Sequence, residues 1–187
     1  MMAPLRKVGS ILFATIAIGS GFFLGFANPI GTLGEPIDLA PVNGGAELVF
    51  VYIGSSTCAP SNAPELTLAI ERLRESTRAE AERRGVAFAT IGIARNRIAG
   101  MGIEHLSKYG NWDEILSGRG WLNTGLLKYM HEDFPGQPAT PQIVVLERTV
   151  QRRPVVAIEN ETVLVRSVGL QEILHSADLG SMIFARE

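Results

Sequence analysis

Three continuous apolar runs, rich in β-branched residues, follow the glycine-rich and proline-rich segment that ends near residue 47. They cover residues 48–54 (LVFVYIG), 86–94 (VAFATIGIA) and 141–147 (PQIVVLE). Runs of this kind bounded by turn residues are typical of strands buried on both faces of a sheet. The pattern therefore predicts three central strands.

A long amphipathic helix is predicted between the first two strands. Apolar residues recur at helical spacing from Leu66 to Leu73, charged residues fill the other face, and Gly85 is placed to end the helix. Pro64 cannot donate its N–H, so we expect it to kink the first turns. A strand–helix–strand unit of this length implies a parallel pair joined by a right-handed crossover, so the core is predicted to be α/β.

Residues 95–138 carry weaker helical patterns, broken by glycines, over 98–109, 112–116 and 122–131. We interpret this region as a helical insertion before the third strand. Beyond that strand the sequence predicts two further elements and a tail.

The first of these elements is a pair of strands within residues 154–169, forming a hairpin around a turn at Glu159-Asn160-Glu161. The second is a short helix over 170–179, with its apolar side on the sheet. Residues 180–187 are left as a C-terminal tail.

The N-terminus carries a different signal. Residues 8–27 hold no charge, and a helix needs about 20 apolar residues to cross the hydrocarbon core. Arg6 and Lys7 precede this segment, and the first acidic residue is Glu35, so the positive-inside rule places the folded region on the extracytoplasmic, periplasmic side. The segment 1–28 is therefore predicted to be a membrane anchor or a signal peptide.

Two alternatives remain for this segment. The small residues Gly25 and Ala27 fit a signal-peptide cut before Asn28, which would release an exported protein, whereas the length of the apolar run favours a retained anchor. Residues 29–47 are predicted to be a tether with a short leading strand at 37–39.

The composition of the chain argues against several classes of function. The net charge of −2, from 17 basic and 19 acidic residues, gives no footprint for nucleic acid. The single cysteine excludes an intramolecular disulfide and a cysteine-clustered metal site. His105, His131 and His175 show no metal-ligand spacing, so no metal or cofactor is predicted.

The order of the predicted elements and two short motifs resemble those of a known protein family. The segment Cys58-Ala59-Pro60-Ser61 follows the first strand and precedes the long helix, and Thr140-Pro141 opens the third strand. Over residues 35–179 the chain resembles the thioredoxin-like superfamily, which has a central mixed sheet flanked by helices. The resemblance implies that Cys58 is the active-site cysteine and that Pro141 is a cis-proline whose preceding residue, Thr140, faces it.

The sequence also departs from that family. Ser61 stands where the second cysteine would be, and Thr57 stands where the family has a tryptophan. A dithiol cycle is therefore excluded, although the Ser61 hydroxyl could hydrogen-bond the Cys58 thiolate. A thiol in the first turn of a helix would be ionised more readily than an ordinary cysteine, because the helix N-terminus favours negative charge.

Each of these interpretations has an alternative. A lone cysteine is by default a small core residue, and a proline at a strand start is usually trans. The aromatic residues of the insertion could line a peptide groove, although aromatic residues in helices usually belong to the core; they are Tyr109, Trp112, Trp121 and Tyr129. Arg95 and Arg97 are expected on a solvated face.

Two functions follow as expectations. The first is a membrane-tethered extracytoplasmic protein that exchanges thiols and disulfides with a protein or peptide partner through Cys58, with an external thiol as resolver. The second is a redox-inactive module that binds a protein or peptide. A single-cysteine peroxide-reducing enzyme fits less well, because Thr57 is adjacent to the cysteine rather than two or three residues before it.

Overall fold

The computed structural model describes residues 44–151 and 157–184, in which five strands form one mixed sheet. The spatial order of the strands is β3-β2-β1-β4-β5. The strands are β1 (Gly45–Gly54), β2 (Ala87–Ala94), β3 (Glu114–Ser117), β4 (Gln142–Gln151) and β5 (Ala157–Val168). Neighbouring pairs within β1, β2 and β3 are parallel, whereas β4 is antiparallel to both β1 and β5. The predicted fold class is confirmed: this is a mixed α/β sheet in a thioredoxin-like arrangement.

Helices flank both faces of this sheet. They are α1 (Pro64–Arg84), α2 (Ala99–Ser107), α3 (Thr124–Leu126, continuing as the π-helical segment Leu127–Glu132) and α4 (Leu170–Leu179), with short 3₁₀ turns at Pro60–Asn62, Gly120–Leu122 and Gly180–Phe184. Alternate residues of β1 divide the core: Phe50 and Tyr52 pack toward α1, α2 and α4, whereas Val49 and Val51 pack toward α3 and its π-helical segment. The central strand is thus buried on both faces, as its continuous apolar run predicts.

The long helix is confirmed, but its start differs from the prediction. Pro64 is the first residue of α1, and Ala63 before it is extended, with ψ 132°. A residue that precedes proline is disfavoured in the α conformation. The helical conformation is therefore interrupted at Ala63, and there is no kinked helix that continues through it. At the other end, Gly85 adopts φ 69° and caps the helix as predicted.

The insertion is only partly helical. Residues 112–116 were predicted to be helical, and this is wrong, because Glu114–Ser117 forms the edge strand β3. The Trp112 side chain stacks with Phe50 and Tyr52, and its indole nitrogen donates to the carbonyl of Leu106. These tertiary contacts outweigh the weak local helical pattern.

The predicted turn at Glu159-Asn160-Glu161 is also wrong. Residues 157–168 form the single strand β5, whose hairpin partner is β4. Asn160 has φ 49°, and the register between the two strands shifts near it. The polar residues therefore mark an irregularity within a strand rather than the end of one.

Beyond the short β3, the side chain of Asp113 continues its pairing with β2. The Asp113 carboxylate accepts hydrogen bonds from the backbone N–H and the hydroxyl of Thr90, at 2.8 and 2.7 Å. The backbone N–H of Asp113 in turn donates to the Thr90 hydroxyl at 3.0 Å. A side chain thus satisfies a backbone donor that the short strand leaves uncovered.

The apolar segment 8–27, the proposed signal-peptide cut and the leading strand at 37–39 lie outside the described residues. Within 44–151 and 157–184, no helix combines the length and the apolar character needed to cross a bilayer. The tail predicted at 180–187 begins with the 3₁₀ turn Gly180–Phe184.

Candidate functional site

Cys58 lies in the loop that leaves the carboxyl end of β1, and its side chain is partly exposed. The loop turns sharply, because the Cys58 N–H donates to the Ser55 carbonyl at 3.2 Å. The prediction that Cys58 lies in the first turn of a helix is wrong. A three-residue 3₁₀ turn follows it, and α1 begins only at Pro64, so the macrodipole of α1 does not begin at the thiol.

One side chain holds this loop in place. Asn62 Nδ2 donates to three backbone carbonyls, those of Ser55, Ser56 and Cys58, at 3.3, 3.0 and 2.8 Å. Lys108 Nζ donates to the other end of the same amide at 3.4 Å. The backbone around the thiol is therefore fixed by hydrogen bonds rather than by a helix.

The fold brings Thr140 and Pro141 against the cysteine, although 82 residues separate Cys58 from Thr140. The Thr140-Pro141 peptide bond is cis, as the resemblance implies. Cys58 Sγ lies 3.1 Å from the Thr140 carbonyl oxygen, to which the protonated thiol donates. Pro141 is buried, and its own carbonyl accepts from the Gly169 N–H at 2.8 Å.

Ser61 is fully buried beneath the loop. Its backbone carbonyl accepts a hydrogen bond from the Tyr109 hydroxyl. Its own hydroxyl has no partner among the residues that the structure describes. That hydroxyl is therefore free to donate to the thiolate of Cys58.

Several influences act on the ionisation of Cys58. Burial raises the pKa of the thiol, whereas the nearby Thr140 and Ser61 side chains and the Ser61 backbone, which favour the thiolate, together with the positive charge of Arg95, lower it. The lowering influences win, so the pKa of Cys58 lies below its ordinary value. The bond from the thiol to the Thr140 carbonyl stabilises the protonated form, because a thiolate has no proton to donate.

Arg95 is a site residue that the sequence interpretation missed. The structure places it half-buried, with Nη2 3.4 Å from both the Ser55 and the Thr57 hydroxyl oxygens. Its guanidinium lies 4.6 Å from the ring centroid of Trp121. No signal near Cys58 in the sequence points to it, because β2 delivers it from 37 positions further along the chain.

A buried polar cluster behind the loop was also missed. His105 is 1% exposed, its Nε2 lies 3.3 Å from the Tyr52 hydroxyl, and its Nδ1 has no partner among the described residues. Burial, with a smaller effect of Lys108, lowers the pKa of His105 to about 4, so its imidazole is neutral at pH 7. Burial, followed by Tyr109, raises the pKa of Tyr52 well above its ordinary value. A polar tip within an apolar strand is the only sequence signal for this cluster, and Tyr52 provides it.

The four aromatic residues of the insertion, expected mainly in the core with a peptide groove as the alternative, divide in the structure. Tyr109, Trp112 and Tyr129 contribute to the two core clusters. Trp121 is 40% exposed and faces a surface groove.

The described residues contain no group of three or more His, Cys, Asp or Glu side chains that could hold a metal ion. They offer one partly exposed thiol, a buried hydroxyl beside it and a nearby guanidinium. This arrangement can form one intermolecular disulfide at a time. Comparisons of the chain with protein-family models, with curated proteins and with solved structures gave no match.

Proposed function

We propose that this chain takes part in thiol–disulfide exchange through Cys58, which forms a mixed disulfide with a protein or peptide partner. One observation carries the proposal: a partly exposed thiol, with a pKa below its ordinary value, lies 3.1 Å from the Thr140 carbonyl. A core cysteine would be fully buried and would not be held at the end of an exposed loop.

The reaction conserves the number of disulfides. The Cys58 thiolate attacks one sulfur of a partner disulfide, the new S–S bond forms as the old one breaks, and the second partner sulfur leaves as a thiolate. An external thiolate then attacks the mixed disulfide, regenerating the Cys58 thiolate and leaving the partner joined to the resolver. The resolver must come from outside because the sequence has a single cysteine.

Ser61 supports the first step. Its buried hydroxyl, which has no partner within the described ranges, donates a stronger hydrogen bond to the anionic thiolate of Cys58 than to the neutral thiol, and this favours the thiolate. A hydroxyl stabilises the nucleophile but cannot displace a partner. The mixed disulfide should therefore persist until an external thiol arrives.

The location proposed for this chemistry is the extracytoplasmic face of a membrane, with residues 8–27 as the anchor or the signal segment. The support is the uncharged sequence preceded by Arg6 and Lys7. Extracytoplasmic compartments are oxidising, so partner disulfides persist there. Alkaline carbonate extraction of membranes tests the anchor: an integral protein stays in the pellet, and a cleaved, exported form appears in the soluble fraction with a shortened mass.

The rate of Cys58 alkylation against pH tests the chemistry, measured on the full-length chain with a urea-denatured sample as reference. We expect the midpoint of the native chain to lie below that of the denatured chain. Cys58→Ser supplies the blank and should capture no partner. Equal midpoints, or labelling only after unfolding, would overturn the proposal.

A second candidate is a redox-inactive module that binds a protein or peptide. The observation that favours it is the hydrogen bond from the thiol to Thr140, since a donating thiol is neutral and satisfied. This candidate predicts that Cys58→Ala captures the same partners as the unaltered chain. The exchange function predicts instead that Cys58→Ala captures no partner. It also predicts that dithiothreitol releases the partners held by the unaltered chain.

A further inference from the structure

A surface groove opens beside Cys58, between the loop that follows β2 and the 3₁₀ turn Gly120–Leu122. Its volume is about 650 Å³, and Thr57, the neighbour of Cys58, is one of its lining residues. The backbone N–H of Arg119 donates to the Arg97 carbonyl at 3.1 Å, which joins the two walls. The groove is therefore formed before any ligand arrives.

Three arginines line this groove, and no acidic residue does; they are Arg95, Arg97 and Arg119. Within the part of the chain that the structure describes, none of the three forms an ion pair. The Nε of Arg95 is buried and has no hydrogen-bond partner within residues 44–151 and 157–184. Guanidinium groups bind carboxylates in a planar, two-bonded geometry, so the groove is complementary to a carboxylate ligand.

The rest of the lining is apolar and exposed. Ile98 is 63% exposed and Leu122 is 61% exposed, and both lie in the groove with Met101 and Trp121. Clustered exposed apolar side chains mark interaction surfaces. An occupant that satisfies the whole groove must therefore carry both carboxylates and apolar side chains.

We propose that the groove binds an extended acidic and apolar peptide segment of the partner whose disulfide reacts with Cys58. This inference rests on the proposed function, because the Cys58 thiol, next in the chain to the lining residue Thr57, is what places the reacting cysteine of the partner. Carboxylates near that cysteine pair with Arg97 and Arg119, and neighbouring apolar side chains pack on Ile98 and Leu122. The groove then selects partners by the residues that flank their cysteine.

The test uses the full-length chain in a neutral detergent and two synthetic peptides, each carrying its cysteine as a mixed disulfide with 2-thiopyridine. One peptide has glutamate and leucine around the cysteine, and the other has lysine in place of each glutamate. Attack by the Cys58 thiolate joins the peptide to Cys58 and expels 2-thiopyridine, which takes up a proton and is followed by its absorbance. Uncharged dipyridyl disulfide measures the reactivity of the thiol by itself.

We expect the acidic peptide to react about tenfold faster than the lysine peptide at low salt, with the preference shrinking as salt screens the charges. Each rate is divided by the same protein's rate with dipyridyl disulfide. Arg97→Gln should reduce the normalised rate of the acidic peptide severalfold. Arg119→Asn should do the same, and asparagine suits the φ of 62° at that position. The matched control Arg72→Gln removes one exposed charge from α1, away from the groove, and should keep the preference.

The two ideas fail in different ways. Dipyridyl disulfide that reacts no faster with the native chain than with the denatured chain at neutral pH would overturn the exchange function. Rapid reaction with that probe, combined with equal rates for the two peptides, would overturn the groove alone. Arg97-dependent binding of an oligonucleotide or an anionic lipid vesicle, with equal peptide rates, would assign the groove to another occupant.

Discussion

The two ends of β1 differ in whether the polar side chains around them have partners. At its amino end, ionic side chains are paired with one another: Glu47 with Arg148, Glu80 with Arg83 and Arg84, and Arg84 with Glu147. At its carboxyl end, around Cys58, buried polar atoms of Ser61, Arg95 and His105 have no partner among the described residues.

The contrast is not complete, since two other residues also hold such atoms. Arg74 lies 4.3 Å from the ring centroid of Trp112, and Glu161 pairs through its second oxygen with Lys128. Arg74 and Glu161 thus each have another interaction, as Arg95 has with Trp121, whereas the Ser61 hydroxyl has no hydrogen-bond partner among the described residues. A buried polar group without a partner costs about 1–3 kcal/mol, so an end of the sheet that accumulates them is organised for something other than stability.

The largest expected effect comes from the glycines at the two ends of β1. A Cβ on Gly54 would clash with the Tyr52 hydroxyl and lie 2.7 Å from His105 Nε2, whereas a Cβ on Gly45 would meet nothing within 4 Å. We expect Gly54→Ala to lower the free energy of unfolding by about 3 kcal/mol, as overpacking does. Gly45→Ala should change it by less than about 0.5 kcal/mol. Urea denaturation measures both free energies of unfolding. Equal midpoints for the two variants would contradict the claim that the two ends of β1 are packed differently.

Acid should destabilise the Cys58 end first. The pKa of His105 is lowered to about 4, so between about pH 6.5 and pH 4 the unfolded chain binds a proton that the folded chain does not. Stability is therefore lost as the pH falls through that window, by about 3 kcal/mol. His105→Gln should flatten the loss, and the exposed His175→Gln should not. An unchanged slope in His105→Gln would show that the imidazole is not the source.

The paired end should respond at lower pH and more weakly. The side-chain hydrogen bond from Arg83, opposed by burial and reinforced by Arg84, lowers the pKa of Glu80 to about 2. Its contribution is present above the ordinary carboxyl pKa and is lost as the pH falls toward 2. At neutral pH we expect Glu80→Gln to cost about 1 kcal/mol, since solvent screens a pair whose Arg83 is largely exposed. The neighbouring Glu82→Gln is the control, and an equal cost in both would refute a specific network.

The smallest effect concerns reactivity. We expect Ser61→Ala to raise the pKa of Cys58, because it removes a donor to the thiolate, and to slow alkylation at pH 7 about two- to fivefold. Ser56→Ala is the control, since its hydroxyl bonds Asn96 and does not approach the sulfur. Alkylation rates that match in all three proteins would mean that the Ser61 hydroxyl does not act on the thiol.

The sequence predicted those elements whose pattern is long. The buried strands β1, β2 and β4 and the 21-residue helix α1 repeat their signal over many positions. The four residues of β3 are too few to show a period, and contacts of Trp112 with distant residues decide their conformation. Asn160 looks like a turn residue, but pairing with β4 keeps it within a strand.

Only some features of the candidate site were predicted from the sequence. The approach of Thr140 to Cys58 was predicted because a family resemblance supplied the long-range pairing that local pattern cannot. Arg95 and His105 were not predicted, since a sheet brings them to the cysteine from separate elements and nothing adjacent in sequence marks them. The position of Cys58 relative to the helix was mistaken because two prolines, at 60 and 64, interrupt the helical pattern.

Asp113 has a consequence for the behaviour of the protein in concentrated solution. An open strand edge with free backbone donors is a template on which other chains aggregate. Here the carboxylate of Asp113, just before β3 begins, accepts the hydrogen bond of the Thr90 N–H, and it presents a negative charge to any strand that approaches. One acidic side chain thus blocks strand pairing at this point of the sheet edge, and Asp113→Ala should favour the growth of oligomers joined along that edge.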